Sequence, residues 1–337
     1  MQTGLFDWQF RFEKLEKNGD PLRQLNDVMN WESFRPALSA VHERERKSNA
    51  GAKPYDVVMM FKILVIQSLY NLSDDALEYQ ILDRISFMRF LGLSLGDRVP
   101  DAKTIWLFRE QLTKARLIKK LFRQFDQFLR DSGFAANKGQ IIDASIVSAR
   151  KQRNSRDENK RIKKGEIPDD WNLAKRRQKD TDARWIKRLG QTYYGYKNHV
   201  SIDVKNKLIR DYAVTDAATH DSQVFDELLD DANTSRDVFA DSAYWSKDRL
   251  KRLSQRGFRE RLQRKGCRHQ KLTEREKRGN HTRSKTRCRI EHIFGLQAMM
   301  AGDLILRTIG TIRARAKIGL RNLAYNLFRY KTLVAMG

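Results

Sequence analysis

The run of residues 139–148, which reads GQIIDASIVS, constrains the fold more than any other part of the sequence. Its apolar and β-branched side chains predict a central β-strand, yet Asp143 lies in the middle of it. Charged side chains are almost never fully buried unless they are paired or bind a metal ion. The chain must therefore fold so that a partner or a cation reaches Asp143.

A second carboxylate follows a short apolar run at Val238 and Phe239, which also predict a buried strand. This strand ends at Asp241, and Ser246 is placed to cap a helix over residues 247–256. Open α/β sheets carry their chemistry at the carboxyl ends of strands, although a single Asp there is more often a turn residue. Asp241 therefore becomes a candidate site residue only if other carboxylates lie near it.

The periodicity of apolar residues changes along the chain from helical to mixed. At 337 residues the chain is long enough for two domains, and we expect an all-α N-terminal domain over 1–132 and a mixed-sheet α/β domain over 133–337. The short helices of the first domain predict either a helix-turn-helix DNA reader or a packing bundle. The two alternatives are equally good, because residues 1–149 carry little net charge.

Within the second domain, residues 196–204 and 208–214 alternate in polarity and predict a β-hairpin. Apolar spacing predicts three helices, and the last of them is expected to bury Ile312; their ranges are 221–231, 284–300 and 311–333. A basic loop is expected over residues 266–280.

Positive charge is concentrated in two segments of the chain. The formal net charge is +25, and the segments 150–190 and 249–289 hold most of the excess. The first reads as loops or short helices, and a generally basic surface would instead spread the charge evenly. We therefore predict that both segments line one groove for a polyanion, with nucleic acid as the leading choice.

A third carboxylate, Glu291, lies on the helix predicted over 284–300, one turn after Arg287. Asp143, Asp241 and Glu291 would repel one another strongly unless divalent cations lie between them. Oxygen ligands suit Mg²⁺ or Mn²⁺, and two such ions about 4 Å apart support in-line phosphoryl transfer. Arg287 then either faces a phosphate or forms an i,i+4 surface ion pair with Glu291.

These segments, in their chain order, resemble the bacterial insertion-sequence transposases of the DDE superfamily, in the group named after insertion sequence five. IIDASI at 141–146 resembles the first catalytic strand of that group, ADSAY at 240–244 its second-Asp motif, and RCRIEHIF at 287–294 its Arg-x-x-x-Glu motif. GYKNH at 195–199 and THDS at 219–222 are similar to segments that the family carries between its two Asp residues. Residues 70–74 and 93–104 resemble its helical N-terminal region.

The resemblance implies an RNase H-like catalytic core in which Asp143, Asp241 and Glu291 are catalytic residues that ligate two Mg²⁺ or Mn²⁺ ions. It implies an enzyme that cleaves transposon ends and transfers the freed 3′-hydroxyl to target DNA. Its partners would be double-stranded DNA, as terminal inverted repeats and target, and further copies of the chain in a homodimer or larger synaptic complex. Two positions depart from the superfamily pattern: Ser284 stands where the pattern has Tyr, and Ala298 where it has Lys or Arg. These departures bear on hairpin handling or on how the transposon end is bound, and not on the three carboxylates.

Two other functions stay open at this point, a catalytically silent DNA-binding regulator of the same ancestry and an RNase H-like nuclease without strand transfer. The residues expected to contact DNA are Lys175, Arg176, Arg177, Arg283, Arg287 and Arg289. Secondary site candidates are His220, His292 and Tyr244. Trp171, Trp185, Tyr193 and Tyr194 lie among basic residues, where aromatic rings either stack on bases or pack in the core.

Several competing sites have to be weighed against this one. Asp180, Asp182 and Asp203 are rival carboxylates, and strand alternation allows Asp203 to face solvent. A zinc site would have to be built from Cys267, His269, His281 and Cys288, whose spacing matches no tight pairing of ligands. Two cysteines suit a reducing compartment, and no signal peptide or membrane span is seen, so we expect a bacterial cytoplasmic protein associated with the nucleoid through DNA.

Overall fold

The computed structural model describes residues 7–42, 53–188, 190–266, 271–302 and 304–336. The chain divides into two compact units, one formed by residues 1–121 with 323–337 and one by residues 122–322. The α-helices are α1 (Asp7–Lys17), α2 (Pro21–Val28), α3 (Arg35–Ser39), α4 (Val57–Tyr70), α5 (Asp74–Asp83), α6 (Ile85–Leu91), α7 (Ala102–Lys114), α8 (Leu117–Asp131), α9 (Arg156–Lys163), α10 (Leu173–Gln178), α11 (Lys247–Gln255), α12 (Glu274–Arg287), α13 (Arg289–Ala301) and α14 (Thr311–Val334). The strands are β1 (Gln140–Ser148), β2 (Arg184–Arg188), β3 (Gln191–Asp203), β4 (Ile209–Asp216), β5 (Asp237–Ala240) and β6 (Arg259–Leu262).

The first unit is helical, as the sequence predicts. Side-chain oxygens at the N-caps of four of its helices accept backbone N–H groups that the helix itself leaves unpaired; these caps are Asp20, Asp56, Ser73 and Asp101. Helix α4 is buried on nearly all sides and forms the centre of this unit. Asn71 ends it in the left-handed conformation at φ 51°, which Asn tolerates better than most residues.

No helix in the described part of the chain is by itself long and apolar enough to cross a membrane. The pair α4 and α5 passes that test only jointly, and its two helices are bent by 104° at the break between them.

The second unit is built on one six-stranded mixed sheet with the order β2-β3-β1-β5-β6, in which β4 also pairs with β3. Strands β1, β3 and β4 are antiparallel neighbours, so the predicted hairpin is confirmed as β3 and β4. Strand β5 runs parallel to β1, and β6 runs parallel to β5. Gly195 has φ 153°, and a Cβ there would overlap the backbone of β1 at Val147, so only glycine allows these strands to pair so closely.

A hydrophobic cluster lies under the parallel side of the sheet. Its buried members are Ile142, Phe225, Leu228, Leu229, Val238, Ala240, Tyr244, Leu253, Phe258 and Leu262. Helix α11 contributes Leu253 and begins at the N-cap Ser246, as predicted. The two strands that carry the candidate carboxylates are therefore held against a packed support.

Five predictions differ from the structure, and the first is that residues 150–190, expected to be loops or short helices, also contain the strand β2 (Arg184–Arg188). Residues 221–231 form only two short 3₁₀ turns, Asp221–Gln223 and Asp226–Leu228. The expected basic loop becomes helical at α12, where Thr273 and Glu276 form a capping box. The helix predicted over 284–300 is divided at Cys288 into α12 and α13. Ile312, which was expected to be buried, is 56% exposed in the first turn of α14.

Candidate active site

Asp143 lies inside β1, between β3 and β5, and its side chain is only 13% exposed. Its Oδ1 accepts the backbone N–H of Ala144 at 2.8 Å. Burial raises the pKa of Asp143 to about 6, against the lowering effect of Arg287, and the neighbouring charge of Asp241 raises it further. This carboxylate is therefore costly to ionise without a cation.

Asp241 follows directly after β5 and caps a 3₁₀ turn, Ser242–Tyr244, by accepting the Ala243 N–H at 2.8 Å. The parallel register pairs Ile141 with Phe239, so Asp143 and Asp241 each lie two residues beyond a paired position. Adjacent strands are about 4.8 Å apart. The register therefore brings these two carboxylates level on neighbouring strands.

Glu291 and Arg287 lie on either side of the break between α12 and α13. The Nη1 of Arg287 donates to Asp143 Oδ2 at 2.8 Å, and its Nη2 is 3.6 Å from Glu291 Oε1. Glu291 is 66% exposed and faces solvent, apart from this contact. Arg287 thus lies between a buried and an exposed carboxylate, and it is more than the surface i,i+4 pair that the sequence offered as one alternative.

The residues of this site fit a divalent cation. The donor set consists of carboxylate oxygens, which Mg²⁺ and Mn²⁺ prefer. A positive group, the Arg287 guanidinium, already lies against Asp143, so the site stabilises positive charge. Within the described residues no group of three acidic, His or Cys side chains is drawn together tightly enough to hold a metal ion in this arrangement. A cation shared with Glu291 would therefore require the Arg287 contact to open.

The cost of burying the Asp143 carboxylate can be tested through the free energy of unfolding. In the absence of divalent cations, we expect Asp143→Asn to raise the free energy of unfolding at pH 8 by about 2–3 kcal/mol, because each pKa unit is about 1.4 kcal/mol. A carboxyl whose pKa is raised to about 6 in the folded state destabilises the fold as the pH rises through that value. The gain should disappear near pH 4, as measured by urea denaturation, and Asp248→Asn, on the exposed surface of α11, should show no gain. A loss of stability at pH 8 would contradict the picture.

The secondary candidates occupy different environments. Tyr244 is buried in the hydrophobic cluster, and His220 is exposed and accepts the Ser222 N–H in the turn that it caps. His292 is exposed on α13, next to Glu291. Their participation in chemistry stays a prediction.

Three basic residues of the first basic segment lie on or beside α10. Lys175 pairs with Glu158 at 2.8 Å and lies over the Trp171 ring, whereas Arg176 and Arg177 are exposed. Trp171 and Tyr194 are buried, so they pack in the core, and Trp185 is exposed. Arg176 and Arg177 are therefore the most accessible of the three cations to a phosphate backbone.

The remaining DNA-contact candidates, Arg283 and Arg289, lie on α12 and α13, on either side of the break at Cys288. Arg283 is half-buried on α12 and lies 3.4 Å from Asn280 Oδ1. Arg289 is exposed and donates to the backbone carbonyl of Val204 at 2.9 Å. Contact of these residues with DNA stays a prediction.

The rival carboxylates serve structural roles. Asp203 does not face solvent: it is fully buried and pairs with Arg210 at 3.0 Å, so that expectation is wrong. Asp180 is buried and accepts the Tyr196 hydroxyl, and Asp182 accepts the Thr311 N–H at 2.8 Å. Of the zinc candidates, Cys267 and His269 lie outside the described residues, and Cys288 is an exposed free thiol.

Sequence reasoning assigned no role to three residues that lie next to this site. Lys197 and His199 are buried on β3, and the Lys197 Nζ is 2.8 Å from Asp221 Oδ1. Burial lowers the pKa of His199 to about 4, so this ring is neutral. The motifs at 195–199 and 219–222 contain these residues and were the signal available, but the motifs alone did not reveal that they meet.

Two family models match this chain. Residues 134–327 match the model described as "Transposase DDE domain", and residues 10–111 match "Transposase domain (DUF772)". Among solved structures, the chain is similar to "Cryo-EM structure of piggyBac transposase synaptic complex with hairpin DNA", with 13% identity, 93% of this chain and 75% of that chain covered, and a TM-score of 0.48.

Proposed function

This chain belongs to the Transposase DDE domain family and is a DNA transposase of the insertion-sequence type, and we propose that Asp143, Asp241 and Glu291 carry its phosphoryl-transfer chemistry. The observation that carries the proposal is the register of β1 and β5, which brings Asp143 and Asp241 level on neighbouring strands. The position of Glu291 within reach of Arg287, which itself binds Asp143, supports the third member. The family uses divalent metal ions, and we propose two Mg²⁺ or Mn²⁺ ions here.

We also propose that the mixed sheet is an RNase H-like core and that the chain belongs to the group named after insertion sequence five. Strands β1 to β4 form the antiparallel part of the sheet and β5 and β6 its parallel part, with one carboxylate within β1 and another directly after β5, and this arrangement supports the RNase H-like assignment. The motifs around Asp143, Asp241 and Glu291 support the group.

In the proposed reaction, Asp143, Asp241 and Glu291 would hold the two cations through their carboxylate oxygens. Bound Mg²⁺ or Mn²⁺ supplies stabilisation of the attacking and leaving oxygens in an in-line displacement. Arg287 leaves Asp143 and contacts a phosphate, which its planar fork suits. Water attacks the phosphorus at the transposon end and breaks its P–O3′ bond, which frees the 3′-hydroxyl. This hydroxyl then attacks a phosphodiester of the target DNA, forms a new P–O bond and displaces the target's own 3′-hydroxyl.

We assign residues 133–337 to this chemistry and residues 1–132 to DNA binding and dimerisation. Several large apolar side chains of the helical region are exposed on α5 and α7, which supports a contact surface there; they are Tyr79, Leu82, Trp106 and Leu107. Two transposon ends must be held together, so at least a homodimer is proposed, acting on terminal inverted repeats and target DNA of the bacterial nucleoid.

A donor-plus-target assay with the full chain tests the proposal. We expect Mg²⁺-dependent cleavage of a donor that carries the element's own ends, followed by strand-transfer products. Cleavage without joined products would indicate a nuclease, and binding without cleavage would indicate a silent regulator.

The first basic segment gives a separate prediction about DNA affinity. Reversing the charge of Lys175, Arg176 and Arg177 to Glu should weaken duplex binding and reduce the slope of log affinity against log salt by roughly 3, about 1 for each lost phosphate contact. Fluorescence anisotropy at several salt concentrations measures both quantities.

The matched control reverses three lysines where β1 begins and β3 turns into β4; they are Lys138, Lys205 and Lys207. This control should leave the salt slope nearly unchanged, because it lies outside both basic segments. Equal loss in the two variants would show that the effect follows net charge and that 150–190 does not line a DNA groove.

A further inference from the structure

A basic pocket lies where strand β1 ends. Its volume is about 400 Å³, and three segments that are distant in the chain form it, residues 149–152, 177–180 and 306–309. Asp180 is the single carboxylate among the lining residues. Five cationic side chains line the pocket; they are Arg150, Lys151, Arg177, Lys179 and Arg307. The pocket therefore concentrates positive charge in a concave site.

Backbone pairing brings two of these cations together. Ala149 and Leu306 form a parallel bridge, beside which the Arg150 N–H donates to the Leu306 carbonyl at 3.1 Å. Both bridge residues are buried, so the residue after each of them, Arg150 and Arg307, points the opposite way and is exposed. Like charges side by side on paired strands are destabilising. This arrangement therefore favours an anion between the two guanidinium groups.

The protein supplies no counterion for the exposed cations of this pocket. Arg150, Lys151, Arg177 and Arg307 form no ion pair with the residues that the structure describes. Asp180 is 3% exposed, and its two carboxylate oxygens accept the Tyr196 hydroxyl at 2.9 and 2.8 Å. Its carboxylate is thus held inside the fold by a hydroxyl and not by a cation of the pocket.

Lys179 is held in place without losing its charge. Its Nζ donates to the Arg153 carbonyl at 2.8 Å and to Asn154 Oδ1 at 2.6 Å. It also lies 5.7 Å from the centre of the Trp171 ring. All three partners are neutral groups, so they fix the ammonium at the pocket and leave its positive charge for a ligand. A ligand that binds here does not have to order this side chain first.

Size and charge determine the class of ligand. A DNA duplex is too wide to enter a pocket of about 400 Å³, whereas a single phosphate group fits. The planar fork of Arg suits phosphate oxygens. Arg150 follows Asp143 by seven residues along β1 and its continuation, which is roughly 23 Å at about 3.3 Å per residue. A DNA strand that reacts at Asp143 and follows β1 therefore reaches the pocket.

Resting on the proposed function, we propose that this pocket binds one phosphate group of the DNA strand that runs along β1 away from the carboxylates. Arg150 and Arg307 bind its oxygens, and Arg177 and Lys179 add positive charge around it. The pocket thereby fixes where the strand lies relative to Asp143. An internal phosphate of the backbone and a 5′-phosphate at a strand end offer the same oxygens, and the experiment distinguishes these two sources.

The test measures binding of a single-stranded DNA of about eight nucleotides, with either a 5′-phosphate or a 5′-hydroxyl, to the full chain by fluorescence anisotropy. We expect the double substitution Arg150→Gln and Arg307→Gln to weaken binding of the 5′-phosphorylated probe about 10-fold or more, because it removes charge-assisted hydrogen bonds to a phosphate. Arg307→Gln alone should give an intermediate loss.

The matched control is Arg123→Gln with Lys205→Gln, which removes the same charge from exposed positions outside the pocket. Its loss of affinity should be much smaller, since it reflects only the change in net charge. Circular dichroism verifies that every variant folds.

The two probes identify the phosphate that is bound. A preference of the parent for the 5′-phosphate, lost in the Arg150 and Arg307 double variant, indicates a strand end, whereas equal weakening of both probes indicates an internal phosphate. A parent that binds neither probe, or a double variant that binds both as tightly as the control variant, would overturn the inference. If binding behaves as expected but the parent cleaves no DNA, the proposed function fails while the pocket stands.

Discussion

Replacing Asp241 with alanine is expected to lower Mg²⁺-dependent cleavage of transposon-end DNA by about 10³-fold or more. The register of β1 and β5 places Asp241, at the end of β5, level with Asp143. A missing ligand removes several kcal/mol of transition-state stabilisation, and about 4 kcal/mol corresponds to 10³-fold in rate. A gel assay of strand cleavage at saturating DNA measures the effect.

The control for this experiment is Asp248→Ala, which removes an exposed carboxylate on α11, seven residues further along the chain. We expect this variant to cleave like the parent. Both variants should bind duplex DNA as the parent does, because neither substitution removes a Lys or Arg from the two basic segments. If folded, DNA-binding Asp241→Ala cleaves at the parental rate, Asp241 is only the cap of its 3₁₀ turn.

Local pattern was sufficient to predict β1, β5 and the hairpin of β3 and β4, together with the carboxylates on β1 and after β5, but it did not predict β2, which lies in a segment interpreted as loops or short helices. A β-branched run identified β1, a two-residue apolar run identified β5, and alternation identified the hairpin of β3 and β4. Each of these signals lies within a few consecutive residues. The same holds for α11, whose cap is Ser246.

Contacts between distant segments were not predictable in this way. Arg287 and Asp143 are 144 positions apart, and no local pattern shows that they meet. Packing of the elements likewise decides two further contacts. Arg249 donates to the carbonyls of Tyr244 and Ser222, and Lys197 pairs with Asp221. These contacts decide the charge of the site, so its electrostatics had to come from the structure.

Two errors in the predicted elements have separate physical causes. The capping box of Thr273 and Glu276 was a readable signal for α12 that the high basic charge of the segment obscured. Residues 221–231 have helical spacing, but Phe225 and Leu228 are buried from two 3₁₀ turns, in which residues three apart share a face. Spacing of three residues alone does not separate these two conformations.

The burial of Asp203 leads to the second large expected effect, which concerns stability. Asp203 accepts the Arg210 side chain and the backbone N–H groups of Asn206 and Leu208 in the turn between β3 and β4. Arg210 is 1% exposed and also pairs with Asp126 on α8 at 2.9 Å. One buried guanidinium therefore joins the hairpin that pairs with β1 to a helix beside it.

Arg210→Met, which keeps most of the side-chain volume, is expected to lower the free energy of unfolding by about 3–5 kcal/mol, because it leaves a buried carboxylate without its cation. Burial raises the pKa of Asp203 even beside Arg210, and without Arg210 it rises further, so the loss should be larger at pH 8 than at pH 5. Urea denaturation at both pH values measures this difference. The matched control is Arg259→Met, since Arg259 pairs with Asp237 while 63% exposed and should cost less than about 1 kcal/mol. Equal, small losses in the two variants would mean that the Asp203–Arg210–Asp126 contacts do not hold the hairpin in place.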